Sequence, residues 1–346
     1  MELVAAVTDH GGSLARARAL FPKAPGPWID LSTGINPHSY PLFELPATCF
    51  ARLPEQDRIA ELAAVAAAAY GAPDGAHVVA APGTQILLPL VAALVPAGRA
   101  LVLSPTYAEH RRAAAIAGHD VGEVTDFEAL FDADLAILVN PNNPDGRVVA
   151  RSQLQSLAGS MRRKGGLLVV DEAFMEVGPA EESVARDVSG GGLVVLRSFG
   201  KFFGLAGVRL GFALGAEEDV RRLDARLGPW AVAGPTLELA LRALGDEDWQ
   251  KAMRSRLEAE ASALDEIFAR FGLPVTGGTS LFRFLRFAEA GSVFEALGRA
   301  GILVRNFAGR PHDLRIGLPA DIREMERVEA ALTDWAKKRA AATDRR

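Results

Sequence analysis

RSFGKFFGLAGVRLGF, residues 197–212, decides the fold. It overlaps the end of the aliphatic run LVVLRS (193–198) and places one lysine, Lys201, among glycines and apolar side chains. Such a setting strips water from an ammonium and favours the neutral, nucleophilic amine. Most loop lysines are simply solvated, and Lys201 taken alone reads no differently. Its neighbours separate it from them: Ser198 lies three residues before it and Arg209 eight after, with a glycine-rich loop between. A serine hydroxyl and an arginine fork both suit phosphate oxygens.

Outward from this stretch the pattern alternates. HVVA (77–80), ALVLS (100–104), LAILV (135–139) and LLVVD (167–171) read as strands; 84–94, 108–118 and 151–164 read as helices. An Ala-rich helix precedes them over 59–70, with Gly71 at its C-cap. Short aliphatic runs without polar alternation are strands buried on both faces, so the expected fold class is α/β, with a mostly parallel central sheet and helices on both faces. Beyond residue 245 the order changes: a long amphipathic helix over 247–271, LFRFLRF (281–287), a helix over 292–300, strands near 302–304 and 313–317, and a final helix from 320. That order is α+β and marks a smaller second domain. The expected division is an N-terminal segment 1–45 joining the small domain, a large domain 46–245 and a small C-terminal domain 246–346. Residues 1–45, rich in Gly and Pro, are expected to wander over the surface.

Composition narrows the function. A net charge of −5, with both signs interspersed, excludes an electrostatic nucleic-acid binder. Cys49 is the only cysteine, so no disulfide framework exists and a reducing compartment is expected. The start MELVAAVTDHGG lacks the basic and apolar regions of a signal peptide, and no apolar run is long enough to span a bilayer. A cytoplasmic protein with no membrane partner and no metal is expected. No G-x-G-x-x-G or Walker loop follows the early strands, which counts against a nucleotide-binding protein.

Ligands of an α/β sheet sit beyond the C-terminal ends of its strands. Four such ends carry polar groups. Gly83-Thr84-Gln85 follows one strand and opens a helix whose backbone N–H groups face an anion. NPNNPDG (140–146) supplies Asn143, Asp171 ends LLVVD, and Ser198 to Lys201 end the next run. Each alone has a bland reading, as cap or turn. Together they supply a phosphate cradle, a flat aromatic (Tyr107), an amide, a carboxylate and a lysine, which is the set that pyridoxal 5'-phosphate (PLP) requires.

Over nearly its whole length the chain resembles the fold-type I, class I/II aminotransferase superfamily of PLP enzymes. The resemblance implies that Lys201 carries PLP as a Schiff base and that Asp171 keeps the ring nitrogen protonated. It implies that Asn143 reaches the phenolic oxygen, that Tyr107 stacks on the ring, and that Gly83, Thr84, Gln85, Ser198 and Arg209 hold the phosphate. Lys201, Asp171 and Tyr107 are the catalytic candidates; Arg315, in LRIGL, matches the arginine of the substrate carboxylate.

Two branches are similar: histidinol-phosphate aminotransferase and, more so, threonine-phosphate decarboxylase of cobalamin biosynthesis. The second is matched by His10-Gly11-Gly12, by Asp30, Ser32 and Ile35-Asn36-Pro37, by SPTYAEHRRA (104–113) and by DEAF (171–174). This branch implies a carboxy-lyase that converts L-threonine O-3-phosphate to (R)-1-amino-2-propanol O-2-phosphate. It places His10, Gly11, Asn36 and Arg305 around the substrate, and it implies a homodimer. The alternative is a histidinol-phosphate-type aminotransferase using glutamate and 2-oxoglutarate. Three positions depart from the superfamily pattern: Phe174 where Tyr is usual in the aminotransferase branch, Leu53 where many relatives have Tyr, and Asp145 where Thr is commoner.

Overall fold

The structure is a computed structural model that describes residue 7 and residues 10–343. Its strands, in chain order, are β1 (Ile29–Leu31), β2 (Val78–Ala81), β3 (Arg99–Leu103), β4 (Asp120–Val124), β5 (Leu135–Val139), β6 (Leu167–Asp171), β7 (Leu193–Ser198), β8 (Gly211–Leu214), β9 (Val275–Thr279), β10 (Phe282–Arg286), β11 (Ile302–Phe307) and β12 (Arg310–Gly317). The described residues form two compact units. One comprises Ser39–Asn143 and Arg147–Gln250 with Val7; the other comprises residues 10–38, Pro144–Gly146 and the chain from Lys251.

The first unit holds a seven-stranded sheet of order β2-β8-β7-β6-β5-β3-β4. Strands β3 to β7 pair in parallel, and only β8 runs antiparallel to its neighbours β7 and β2. Every side chain of β5 and β6 is buried, as expected where helices cover both faces. Val79, Leu87, Val102, Ile137, Val169 and Leu196 belong to one apolar cluster of this unit. Each such side chain contributes about 1.5–3 kcal/mol by leaving water. Helix Gln56–Tyr70 ends where Gly71 takes φ 77°, the left-handed C-cap that its sequence forecast.

The second unit holds a five-stranded sheet of order β1-β11-β12-β10-β9. Helix Ala290–Arg299 packs on β11 and on helix Ile322–Thr343. Gly146 is required here: at φ 74° its backbone passes so close to Gly278 that a Cβ would lie 2.1 Å from the Gly278 carbonyl oxygen.

Several expectations need correction. The segment 1–45 does not wander over the surface throughout: Leu14–Leu20 is helical, and Ile29–Leu31 adds a parallel strand to β11, with Ile29 and Leu31 buried. Besides β1, three strands went unread: β4, β8 and the glycine-containing β9, VTGGT. β4 is a polar edge strand, DVGEV, without an aliphatic run; β8 is only four residues long. Helices end earlier than forecast, at Ala92, Ile116 and Arg270, while β11 and β12 run longer, to Phe307 and from Arg310. No helix among the described residues is long and apolar enough to cross a membrane.

Candidate active site

Four strand ends of the first unit converge. Ser198 on β7 pairs with Gly211 on β8, and Gly211 pairs with Ala81 on β2. This row brings Ser198, the Gly83-Thr84 turn and the Arg209 loop together. Their approach is tight. A Cβ on Gly83 would sit 2.5 Å from Nη2 of Arg209, and one on Gly211 would sit 2.4 Å from the Thr84 nitrogen. Gly83 takes φ 86°, and Arg209 itself is left-handed at φ 55°, a conformation that costs a non-glycine residue about 1–3 kcal/mol. Helix Thr84–Ala92 starts here, so its first N–H groups and the Arg209 fork define an anion cradle.

Lys201 lies on the short helix Phe199–Phe202. Phe199, Phe202 and Phe203 are buried; Phe203 stacks on Phe199 at 4.5 Å and on Trp249 at 5.7 Å. Gly200 admits the Ala206 backbone, since a Cβ would meet its Cα at 2.7 Å. The Lys201 ammonium stands 5.8 Å from the centre of the Phe174 ring, which follows Asp171 by three residues. The lysine at the end of β7 thus stands beside the segment that leaves β6.

Asp171 is buried at the C-terminus of β6. Its Oδ1 accepts from the Ala173 backbone at 3.0 Å, and its Oδ2 accepts from Nε2 of His110 at 2.8 Å. An ionised carboxylate only accepts, so the imidazole carries its proton on Nε2. His110 is 1% exposed and meets Tyr107 edge-on at 5.9 Å. Sequence reading missed this residue. The one available signal was its place three residues after Tyr107.

Tyr107 donates to Oε1 of Gln85 at 3.1 Å, and Gln85 donates to Glu109 at 3.0 Å. The Gln85 side chain therefore orients Tyr107. Burial, then Glu109 and Asp171, push the Tyr107 phenol up to about 12, so it stays neutral. In NPNNPDG, Asn140 exchanges hydrogen bonds with the Val149 backbone, and Asn142 bonds to Thr106 and to the Pro105 carbonyl. Those two build the turn; Asn143 is the half-buried member.

Sequence reading also missed a buried group behind these residues. Arg197 meets Glu172 at 2.8 Å and lies over the Tyr70 ring. Glu172 accepts from Ser183 and from the Val184 backbone. Burial pushes the Glu172 carboxyl up, against Arg197 and Ser183. The pair joins the residue after Asp171 to the residue before Ser198.

The second unit gathers the other candidates. Gly12 donates to Ser32 Oγ at 2.7 Å, and Ser32 donates to Asp30 at 2.6 Å. A Cβ on Gly11 would meet the Ser32 carbonyl at 2.4 Å. The His-Gly-Gly and Asp-x-Ser segments are thus one structure. His10, Arg16, Ser32 and Arg305 line a small cleft. Arg315 donates to the Ser32 carbonyl at 2.6 Å and stands directly across from Arg305 in the β11–β12 register. Burial, and secondly Arg305, bring the Arg315 guanidinium down to about 10. Asn36 is buried, and its Oδ1 accepts from the His38 backbone, so this atom serves the turn.

The residues of the first unit fit a phosphorylated pyridine aldehyde. The cradle that a Cβ at Gly83 would fill suits its phosphate. The buried, doubly hydrogen-bonded Asp171 suits a cationic ring nitrogen, and Lys201 suits the aldehyde carbon.

Comparison with known proteins agrees with this geometry. A sequence model of class I and II aminotransferases matches residues 49–332. The chain is 42% identical to a threonine-phosphate decarboxylase of Pseudomonas aeruginosa over 94% of its own length and 97% of that protein's. It is 41% identical to one from a Sinorhizobium species, over 93% and 97%. The crystal structure of the histidinol-phosphate aminotransferase from Clostridium acetobutylicum superposes with a TM-score of 0.78 at 21% identity, covering 90% of this chain and 99% of that one.

Proposed function

The chain belongs to the class I and II aminotransferase family, whose cofactor is PLP, and from that premise we propose that it is a decarboxylase of L-threonine O-3-phosphate. The product is (R)-1-amino-2-propanol O-2-phosphate with release of CO2, a step of cobalamin biosynthesis. The observation that carries the reading is that Arg305 and Arg315 stand directly opposite each other across β11 and β12. Two neighbouring guanidinium forks suit a ligand with two anionic groups, a carboxylate and a phosphate. The near full-length likeness to the Pseudomonas aeruginosa decarboxylase points the same way.

Bound PLP supplies a protonated pyridine ring that accepts the electron pair of a bond broken at the substrate Cα. Asp171 holds the proton at the ring nitrogen, and His110 holds Asp171. Lys201 would hold the cofactor and, once the substrate amine has displaced it, its free amine would carry a proton to Cα in place of the lost carboxylate. Tyr107, neutral at working pH, offers a flat face. Arg315, with a pKa of about 10, stays cationic at pH 7 and orients the substrate carboxylate. Holding that carboxylate would fix which bond at Cα the cofactor weakens, a use of binding for orientation. Arg305 and His10 take the substrate phosphate.

A homodimer is part of the proposal. Leu42 (72% exposed), Phe50 (68%), Leu53 (62%) and Trp230 (54%) are large apolar side chains left in water by one copy of the first unit. The test is incubation of the PLP-loaded protein with threonine phosphate and no keto acid. CO2 and a phosphorylated amine are expected. Amino-group exchange with glutamate, without CO2, makes the protein a transaminase instead.

A further inference from the structure

Glu109 carries a carboxylate that is only 5% exposed, two residues after Tyr107. It opens helix Glu109–Ile116, whose positive end favours a carboxylate, and Arg112, three residues on, donates to its Oε2 at 3.3 Å. An aspartate at this position meets both of those needs. The third contact requires the longer side chain. Glu109 Oε2 also accepts from Nε2 of Gln85 at 3.0 Å, and Gln85 is the second residue of a different helix, Thr84–Ala92, which packs against the first.

That contact settles which way round the Gln85 amide lies. The amide has a donating end and an accepting end, whereas a carboxylate only accepts. Turned over, the amide sets oxygen against oxygen at Glu109. With Glu109 in place the NH2 end faces the carboxylate and the carbonyl end faces Tyr107, whose O–H donates to Oε1 at 3.1 Å. Conjugation keeps a phenol's O–H bond in the plane of its ring, so a fixed acceptor directs that plane. The Tyr107 ring is thus held at its hydroxyl by Gln85 and edge-on by His110, at 5.9 Å.

We propose that Glu109 is a positioning residue: by orienting the Gln85 amide it sets the plane of the Tyr107 ring against the cofactor. This rests on the reading that Tyr107 stacks on PLP.

The experiment is equilibrium titration with PLP of the native chain, Glu109→Asp and Glu109→Gln, each repeated in a Tyr107→Phe background. Glu109→Asp keeps the charge at the helix start and loses the reach. Glu109→Gln loses the charge and keeps both the reach and an accepting oxygen. Loss of one hydrogen bond predicts about three- to tenfold weaker PLP binding in Glu109→Asp, with Glu109→Gln closer to native. In the Tyr107→Phe background there is no hydroxyl to direct, so Glu109→Asp should change the affinity by less than about twofold. Affinity within about twofold of native in Glu109→Asp overturns the assignment, since that is less than one hydrogen bond contributes. A loss in Glu109→Gln as large as in Glu109→Asp also overturns it, because the charge and not the reach then matters. An equal loss with and without the Tyr107 hydroxyl overturns it as well, because Glu109 then acts independently of Tyr107. The two readings fail distinguishably. A native protein that takes up no PLP sinks the cofactor reading and the positioning role with it. A native protein that binds PLP with an affinity indifferent to Glu109 sinks the positioning role alone.

Discussion

Replacing His110 with Phe removes both ring nitrogens and keeps a flat aromatic ring, one atom larger, in the buried position whose centre lies 5.9 Å from that of Tyr107. What goes is the 2.8 Å hydrogen bond to Asp171 Oδ2, between groups exposed by 1% and 6%. Asp171 keeps only the Ala173 N–H, at 3.0 Å on the other oxygen, of the two donors described here. A hydrogen bond to a charged group contributes about 1.5–3 kcal/mol, and each 1.36 kcal/mol is tenfold, so kcat/KM at saturating PLP should fall about 10- to 150-fold. The assay is initial-rate CO2 release, with circular dichroism as a check on folding and the visible absorbance of bound PLP as a second readout. His110→Gln restores an N–H at similar reach and should recover part of the loss. A folded His110→Phe protein with kcat/KM within about twofold of native, and an unchanged PLP spectrum, refutes the claim that His110 positions Asp171.

Gly83→Ala should weaken PLP binding by about tenfold or more: its Cβ would lie 2.5 Å from Arg209 Nη2 and push the fork away, the loss of a charge-assisted contact is of that size, and strain at φ 86° adds to it. Equilibrium titration with PLP measures it, and unchanged affinity contradicts the cradle. Glu172→Gln tests the buried pair through pH. Burial raises the Glu172 carboxyl above its ordinary value in the folded chain. A raised folded-state pKa gives stability that is full below the unfolded-state value and is lost as pH climbs through the folded-state value. The stability advantage of the native chain over Glu172→Gln should therefore shrink as pH rises from about 4.5, the upper edge of the ordinary carboxylate range. Urea midpoints at acidic and neutral pH check this, and an advantage that grows with pH contradicts it.

The legible parts of the fold were those whose burial is uniform. β5 and β6 are covered on both faces, so their side chains are aliphatic without alternation and announce themselves. β4, at the edge, needs little apolar cover, and three-residue β1 is built by its partner β11 rather than by its own composition. The site divides in the same way. Asp171, Ser198 and Lys201 end aliphatic runs, where a polar residue stands out against its neighbours. His110 sits in AEHRRAAAIAG among other polar residues, and nothing local singles it out. Only the approach of its helix to the end of β6 gives it Asp171.

Borohydride reduction of the PLP-treated protein, followed by peptide mass analysis, tests the central claim most directly. A yellow protein whose pyridoxyl mass falls on the peptide containing Lys201, and which is lost in Lys201→Ala, is the predicted result. A colourless protein, or a pyridoxyl mass on another lysine, contradicts the assignment of the site.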